Sequence, residues 1–562
     1  MSPPDASAAH PSARPHGSWP WRICAAAVGL LGVFAFTRDF WLSGFTRFHS
    51  DLGDGRFTAL VASHWADPRQ FAGGWTDLGF FHPVTNALGY SDTMLAFGVV
   101  AAPLQWLGIG IMPAFQWSII VFLLAGYAAM IGFLRWGPQA PWPLAILGAV
   151  LWNFSNALFL GSSHPQLIAF CLIPVVLLTA LRTVRASRVA SRLLWGVVTG
   201  MGFGLITTTA FYVGWFALVG GAIAVALWAV LALLTSSLRI RWRSFGVGLL
   251  GALLGAACIA PVFIATYAPV LRAETERPIE VILEFLLRPA ELVNVSATNL
   301  VWGQAVTSVL PDLRVGEFMM APTLGLLAAA VVALVVGLVR VRRLQPWSLL
   351  GLATLITGFL LWLAPVDFGS FQPWRWLFAL PGASAIRAVG RIEILAAGLL
   401  ALGLVLLMVQ WWRSASSPRI ARTVMILVAV LLVVEQVNLE PPQKIEAVRI
   451  AAVEQVPAPP AGCRSFVLVP PFDEDDPWFV TQIDAMWIAR VTGVPTWNGY
   501  TGFWPPNWQL FVELPDYMRA VRAWKTIYRF RDACGYNLMT RTWLSPAELS
   551  MLIDRSVGWG KP

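Results

Sequence analysis

The sequence predicts an all-α polytopic membrane bundle followed by a C-terminal α/β or α+β domain outside the membrane. The first observation is composition: 57% of the residues are hydrophobic and 12% are charged, whereas about a quarter of a soluble domain is charged. The second is a series of apolar runs near the ~20 residues that cross a bilayer. The third is that arginines gather in short loops between these runs. The formal charge of +9 therefore indicates a membrane edge and excludes a nucleic-acid partner.

Eleven apolar runs are predicted to span the membrane. A Pro-, Ala- and Ser-rich N-terminus, residues 1–21, is expected to be disordered and cytoplasmic. The first run lacks a following small-residue cleavage site, so we interpret it as a retained signal anchor. The stretch 193–235 is too long for one helix and is divided into two. The predicted spans are 22–37, 116–135, 143–160, 166–182, 193–211, 213–234, 245–268, 318–339, 347–364, 394–412 and 421–439.

The direction of the spans follows from four arginine-rich loops that contain no acid. Such loops stay on the cytoplasmic side of a bacterial inner membrane. Acidic residues concentrate in 38–92, 269–317, 365–393 and after 440, which places these segments outside. The transmembrane part is then 22–439, with the N-terminus inside. The arginine groups are Arg182, Arg185, Arg188 and Arg192; Arg239, Arg241 and Arg243; Arg340, Arg342 and Arg343; and Arg413, Arg419 and Arg422.

The apolar stretch 93–111 conflicts with this frame if it crosses the membrane, because the loop 182–192 would then face outward. We therefore predict a re-entrant or membrane-surface helix within the first outer loop, 38–115. Pro103 and Gly108 suit an interrupted helix. The alternative is an ordinary span combined with one misassigned span elsewhere.

The C-terminal segment 440–562 is predicted to be a water-facing domain, with a strand at 466–469 and a helix at 478–491. Cys463 and Cys534 are its two cysteines, and an oxidising periplasm permits a disulfide between them. No cysteine spacing typical of a metal site occurs in the sequence.

Candidate chemistry begins in the first outer loop, at Asp51 and Asp54, which are three residues apart. On one helical turn their carboxylates would face the same way. Such a pair can act as a general base or bind a divalent cation such as Mg²⁺ or Mn²⁺. Gly53 and Gly55 allow a sharp turn here. The alternative is a solvated turn in which Asp51 caps the next helix.

Further polar residues lie in predicted outer segments. His82 could donate to a phosphate or a sugar hydroxyl, although a His before Pro is also typical of a structural turn. His164 and Gln166 follow the third span and could hold a polar ligand at a helix start, or form a tight turn. The loop 271–317 has mixed charges, including Arg272, Glu274 and Glu276, and is interpreted as a solvated helix without a catalytic residue.

Arg387 and Arg391 are four residues apart in an outer segment, so on a helix they would share one face. Two guanidinium groups at a membrane edge suit a phosphate, and Glu393 is the alternative partner. In the C-terminal segment, Asn498 and Tyr500 open a stretch of aromatic and polar residues. That mixture is typical of loops that contact sugars, and also of a packed turn.

Together these pieces resemble the GT-C superfamily of membrane glycosyltransferases, which includes protein O-mannosyltransferase and arabinosyltransferase types. More narrowly the chain resembles bacterial YfhO-like membrane proteins. The matching pieces are the 51–56 segment, the turn at 164–166, Arg387-x-x-x-Arg391 and the stretch 498–500. The sequence departs from the superfamily in one respect, because it has Asp-x-x-Asp where Asp-x-Asp or adjacent acids are common.

The resemblance implies a hexosyl- or pentosyltransferase that moves a sugar from a polyprenyl-phosphate donor to an outer glycan, lipid or protein. Asp51 would be the base or a metal-linked acid, with Asp54 second, and the arginine pair would hold the lipid phosphate. The other implied substrate contacts are Arg56, His82, His164, Gln166, Asn498 and Tyr500. A lipid or polysaccharide transporter and a non-catalytic envelope assembly protein stay open as alternatives. The spans are nearly free of charge, which disfavours ion-coupled transport.

Overall fold

The computed structural model describes residues 19–237, 242–271, 277–415, 417–439, 444–472, 476–511 and 516–555. Predictions for 1–18, Arg239, Arg241, Arg272, Glu274 and Glu276 lie outside these residues.

Among the residues that the structure describes before 440, the chain forms a bundle of helices and one short strand, β1 (Arg47–His49). The bundle belongs to a multi-pass membrane protein. Its helices are α1 (Trp19–Phe36), α2 (Arg38–Leu42), α3 (Asp54–His64), α4 (Leu95–Trp106), α5 (Ile111–Trp136), α6 (Trp142–Asn153), α7 (Asn156–Gly161), α8 (Ile173–Arg185), α9 (Val189–Thr209), α10 (Phe211–Leu234), α11 (Trp242–Leu271), α12 (Ile279–Leu283), α13 (Gly303–Val309), α14 (Leu324–Val339), α15 (Pro346–Leu363), α16 (Trp374–Phe378), α17 (Ile392–Ser414) and α18 (Pro418–Val434).

Nine helical segments of the described chain are long and apolar enough to cross a membrane. They correspond to nine of the eleven predicted spans. The other two predicted spans are α14, with 16 residues, and α18, with 17 residues; each falls below the 18 residues of the shortest of the nine. The nine segments are Trp19–Phe36, Ile111–Trp136, Trp142–Gly161, Pro165–Arg185, Val189–Thr209, Phe211–Leu234, Trp242–Leu271, Pro346–Leu363 and Val389–Ser414.

Arginines from separate loops meet at one end of the bundle, which we call the arginine end. Arg185 donates to the carbonyl of Gly137 (2.8 Å), and Arg413 donates to the carbonyl of Gln139 (2.6 Å). Gln410 donates to the carbonyl of Arg343 (3.0 Å). Three of the four arginine-rich loops are thus brought together on one side, as the positive-inside rule requires of loops that share a compartment.

Helix α4, in the stretch 93–111, starts and ends at the opposite end of the bundle. Thr93 donates to the carbonyl of Thr208 at the end of α9 (2.6 Å). Trp106 donates to the carbonyl of Ala66, just after α3 (2.9 Å). With 12 residues, α4 is about 18 Å long, shorter than the ~30 Å hydrocarbon core. That the stretch 93–111 does not span the membrane stays a prediction.

The bundle is packed around α17, in which every residue from 392 to 409 is buried. Helices α9 and α11 run side by side in the same direction, with glycines at the contact. A Cβ atom on Gly200 would lie 1.8 Å from the carbonyl oxygen of Ala252, and one on Gly255 would lie 2.0 Å from that of Val197. Small residues at four-residue spacing let helix backbones approach this closely in membranes.

The C-terminal segment combines helices with a small mixed sheet, as predicted. Strands β3 and β4 are parallel, and β4 and β5 are antiparallel. Cys463 is paired with Cys534 in a disulfide, with Cα atoms 5.7 Å apart. The elements are β2 (Lys444–Glu446), α19 (Ala447–Glu454), β3 (Ser465–Leu468), α20 (Trp478–Thr492), α21 (Asp516–Tyr528), β4 (Ala533–Asn537), β5 (Thr542–Leu544) and α22 (Pro546–Arg555).

The first loop and the C-terminal segment form one assembly. Strand β1 of the first loop pairs antiparallel with β2, just after the last helix of the bundle. The backbone N–H of Thr496 donates to the carbonyl of Gly79 (2.7 Å), and Arg490 donates to the hydroxyl of Ser63 (3.2 Å). The segment predicted as a separate domain from residue 440 onward is therefore built onto the loop that carries Asp51 and Asp54.

Candidate functional site

The acid pair lies at the start of α3, at the end of the bundle opposite the arginines. Asp51 precedes the helix, and its Oδ1 accepts the N–H of Gly55 (2.9 Å). The two acids therefore do not share a helical turn. Asp51 satisfies one of the free N–H groups that every helix start exposes, which is the alternative raised from the sequence. Asp54 is the first residue of α3.

Three predicted site residues contact Asp54, and together with it they come from three distant parts of the chain. His164 Nδ1 lies 2.5 Å from Asp54 Oδ2, and Gln166 Nε2 lies 3.5 Å from the same oxygen. The hydroxyl of Tyr500 donates to Asp54 Oδ1 (2.9 Å). The first loop, the turn before α8 and the C-terminal segment thus each contribute a side chain.

The network continues through a residue that the sequence analysis missed. Glu317 Oε1 lies 3.5 Å from His164 Nε2 and accepts from Arg391 Nη2 (2.7 Å). Tyr500, Asp54, His164, Glu317 and Arg391 therefore form one continuous chain of polar contacts. Glu317 stands in a loop of mixed charges, and its closeness to the start of α14 was the one available signal.

The two aspartates have different electrostatic environments. Burial, helped by the nearby charge of Asp54, raises the pKa of Asp51 to about 6. Burial also acts to raise the pKa of Asp54, but His164, Arg391 and the Tyr500 hydroxyl hold that pKa below its ordinary value. Asp54 is therefore ionised throughout the neutral pH range. Asp51 gains and loses its proton at a pH just below neutral.

The two predicted phosphate-binding arginines lie near each other but do not share a helix face. Residues 389–391 form a 3-10 turn and α17 begins at 392, so the i, i+4 argument was wrong. Arg391 is buried and its Cζ lies 5.4 Å from the ring of Tyr212. Arg387 is exposed, and its backbone N–H donates to the Tyr212 hydroxyl (2.7 Å).

Arg387 is an exposed cation in this region. Its Cζ lies 5.0 Å from the ring of Phe285, and it makes no ion pair with any residue that the structure describes. Arg277 lies close by, but its guanidinium already donates to the carbonyls of Ala385 (2.8 Å) and Gly502 (2.5 Å). Arg387 thus has hydrogen-bonding capacity to spare for a ligand, and the buried Nε of Arg391 also has no acceptor among the described residues.

Three other predicted contacts lie away from Asp54. Arg56 is fully buried and paired with Asp484 of α20. Asn498 is buried in the C-terminal segment, where it donates to Gln482 (2.9 Å) and accepts from the N–H of Leu468 (2.9 Å). His82 is half-buried against the ring of Phe530, with centroids 5.6 Å apart. Each of these three side chains contacts the C-terminal segment in the structure.

Asp92, in the first loop, caps the start of α10. Its Oδ1 accepts the N–H of Phe211 (2.7 Å). Burial raises the pKa of Asp92 to about 6. The nearby charge of Arg391 lowers this pKa and that of Asp54 raises it. A third carboxyl group therefore faces the region of the acid pair.

The divalent-cation site at Asp51 and Asp54 stays a prediction. Both oxygens of Asp54 already accept hydrogen bonds, from Tyr500 and His164. Within the described ranges, no group of three or more His, Cys, Asp and Glu residues is arranged to hold a metal ion. The mechanism proposed below is described through the side chains of this chain.

Comparisons with known proteins gave distant structural likenesses. No protein family and no curated protein matches the sequence. The oligosaccharyltransferase of Archaeoglobus fulgidus, solved with Zn and sulfate, is similar at 12% identity over 84% of this chain and 62% of its own, with a TM-score of 0.42. The mycobacterial arabinofuranosyltransferase AftD is similar at 16% identity over 87% and 32%, with a TM-score of 0.45.

A third likeness is to ArnT from Cupriavidus metallidurans bound to undecaprenyl phosphate, at 13% identity over 85% of both chains, with a TM-score of 0.36. This chain thus spans less than two thirds of the first two proteins' length. Since all three TM-scores lie below 0.5, we base the functional proposal on the site itself. The narrower resemblance to YfhO-like proteins stays a prediction.

Proposed function

We propose that this protein is a membrane glycosyltransferase that moves a sugar from a polyprenyl-phosphate donor to an acceptor at the site end of the bundle. The observation that carries the proposal is a desolvated carboxyl pair that is linked through His164 and Glu317 to Arg391. The charge of Arg387 also acts on Glu317 and Tyr500 of this network. Glycosyl transfer needs these groups: a base for the acceptor, negative charge near the anomeric carbon and positive charge for the leaving phosphate.

Asp51 has the properties of the base. Its pKa of about 6 places it close to the pH at which a general base works best, because the group is then both ionised and able to accept a proton. In the proposed step the acceptor hydroxyl loses its proton to Asp51, and the acceptor oxygen bonds to the anomeric carbon. The bond between that carbon and the phosphate oxygen breaks, and its electron pair leaves with the phosphate.

Asp54 stays ionised and provides a fixed negative charge beside the reacting carbon, where positive charge develops during glycosyl transfer. His164 and Tyr500 hold its carboxylate in one orientation. Glu317 holds Arg391, which limits that guanidinium as a phosphate ligand. Arg387 therefore binds the lipid phosphate in this proposal, and the charge that forms on the leaving group strengthens the contact.

The proposed orientation places the arginine end in the cytoplasm and the site on the outer face of a bacterial inner membrane. Three positively charged loops meet at one end of the bundle, which contains Arg185, Arg343 and Arg413. The positive-inside rule assigns such an end to the cytoplasm, which supports this orientation. The acceptor would then be an envelope glycan, lipid or protein.

The test uses membrane vesicles that contain the full chain and polyprenyl-phosphate donors carrying radiolabelled glucose, mannose or arabinose. Asp51→Asn is expected to lower the transfer rate by about 10² to 10⁴, the usual contribution of a general base. Arg387→Ala is expected to raise the donor KM. Asp312→Asn and Arg375→Ala are the controls, since both residues are exposed, Asp312 in a loop and Arg375 on α16. Wild-type rates in Asp51→Asn and Asp54→Asn would contradict the assignment.

A further inference from the structure

A row of partly exposed aromatic side chains leads away from the acid pair, along the C-terminal segment. We call it the aromatic strip and define it as Trp478, Phe479, Tyr500, Trp504 and Phe511. The strip begins at the acids, because a Cβ atom on Gly53, between Asp51 and Asp54, would lie 3.0 Å from the ring of Phe479. Its second contact with the site is the hydrogen bond from Tyr500 to Asp54.

The rings of the strip are in continuous contact. The centroid of Tyr500 lies 5.8 Å from Phe479 and 6.1 Å from Trp478. Trp478 lies 6.2 Å from Phe511, which stacks on Trp504 at 5.0 Å and 17°. Trp504, at the far end, is 42% exposed. The aromatic surface therefore extends over several ring widths from the acids toward solvent.

The strip is held in place on the side of the membrane helices. Arg277 donates to the carbonyl of Gly502 (2.5 Å), and its Cζ lies 3.8 Å from the ring of Phe503. The backbone N–H of Phe503 donates to the carbonyl of Tyr90 in the first loop (3.2 Å). The loop between Tyr500 and Trp504 is thus tied to two other parts of the chain, which favours a preformed surface.

The chemistry of the strip fits a neutral saccharide. No side chain in it is charged, and the indole N–H groups of Trp478 and Trp504 donate to no atom of the residues that the structure describes. Flat aromatic faces can pack on the C–H faces of sugar rings, while free indole N–H groups can donate to sugar hydroxyls. A hydrocarbon chain would leave those N–H groups without acceptors.

We propose that the aromatic strip binds a neutral oligosaccharide chain and guides its terminal hydroxyl toward Asp51. The acceptor of the transfer is then a glycan, and this acceptor role rests on the proposed function. Binding of a saccharide to the strip does not depend on turnover, so it can be measured without any donor.

The experiment measures saturation-transfer NMR of the full chain in detergent with tetrasaccharides of glucose, mannose, galactose and arabinose. At least one is expected to bind the wild type. Trp504→Ala is expected to weaken that binding about tenfold, as loss of a stacking Trp at a binding surface typically does, and Trp504→Phe, which keeps an aromatic face, is expected to weaken it less. Tyr528→Ala is the control, because Tyr528 is 37% exposed on the same segment but outside the strip.

Absence of binding by the wild type would overturn the inference, and so would equal binding by Trp504→Ala and Tyr528→Ala. The inference would also be overturned if a photoreactive polyprenyl phosphate labelled the strip and tetrasaccharides did not compete, since the strip would then be a lipid site. Saccharide binding without any sugar transfer would reject the proposed function and leave the strip as a saccharide site. Transfer to an acceptor without sugar would reject the strip's role alone.

Discussion

At the scale of single residues, the site depends on two carboxyl groups that the fold treats differently. Asp51 loses most of its contact with water and keeps one backbone N–H as a close donor, so its pKa rises to about 6. Asp54 is equally removed from water but has His164 and Tyr500 as partners, so its pKa falls. Because the pKa values of the two neighbouring carboxyl groups differ, Asp51 can accept a proton while Asp54 keeps a fixed negative charge.

The pKa of Asp51 predicts a pH profile with a definite sign. The base must be ionised, so kcat/KM for transfer should rise with pH to about 6 and then level off. Because the charge of Asp54 raises the pKa of Asp51, Asp54→Asn should move this rise to lower pH while also slowing the reaction. Rates measured between pH 4 and 8, a range of about two units either side of this pKa, test both statements. An unchanged profile in Asp54→Asn would show that another group titrates, and Asp312→Asn should leave the profile unshifted.

At the scale of elements, close helix packing holds α9 against α11 and so positions the start of α10, where Tyr212 contacts the arginines. The contact relies on glycines because no hydrophobic driving force acts between helices within lipid, and close packing takes its place. Asp92 reinforces the junction between α9 and α10 by capping α10.

This packing predicts opposite outcomes for two similar substitutions. In Gly200→Ala the new Cβ would lie 1.8 Å from a backbone oxygen of α11, whereas at Gly221 in α10 nothing lies within 4 Å. Overpacking of this kind costs about 1–3 kcal/mol, so Gly200→Ala should lower the midpoint of thermal unfolding in detergent. Gly221→Ala should leave it unchanged or raise it, since Ala favours a helix. Equal midpoints would argue against the glycine contact.

At the scale of the whole molecule, the first loop and the C-terminal segment fold together above the bundle. The β1–β2 pairing and the contact between Tyr500 and Asp54 both depend on this union. Arg56 of α3 and Asp484 of α20 form a buried ion pair at its centre. The site is thus assembled between two segments that are far apart in the sequence.

Breaking the ion pair between Arg56 and Asp484 should weaken the attachment of the C-terminal segment to the first loop. Asp484→Ala leaves Arg56 buried without a carboxylate, which typically costs about 3–5 kcal/mol, so limited proteolysis should release the C-terminal segment faster. The double variant Arg56→Met/Asp484→Leu should recover much of the loss, because it leaves no buried charge. Asp532→Ala is the control, since its pair with Arg464 is exposed and such pairs contribute little. Equal cleavage of Asp484→Ala and Asp532→Ala would contradict the prediction.

The sequence by itself determined the membrane class, the positions of nine helices that are long and apolar enough to span a membrane, and the grouping of the arginines. These follow from hydrophobicity and charge along the chain, which act locally and need no knowledge of contacts. Asp54, His164, Gln166, Arg391 and Tyr500 were predicted as site residues because polar residues stand out against apolar neighbours, and the structure brings them into one network.

Only the tertiary structure decided which of these residues meet. Glu317, which was not predicted, contacts Arg391 in the site. Arg56 and Asn498 are buried in contact with the C-terminal segment. Arg387 and Arg391 do not share a helix face. The reason is physical: these outcomes depend on contacts between residues hundreds of positions apart, such as Asp54 and Tyr500 at a separation of 446. A pattern along the chain carries no information on how such segments are brought together, because their packing determines it.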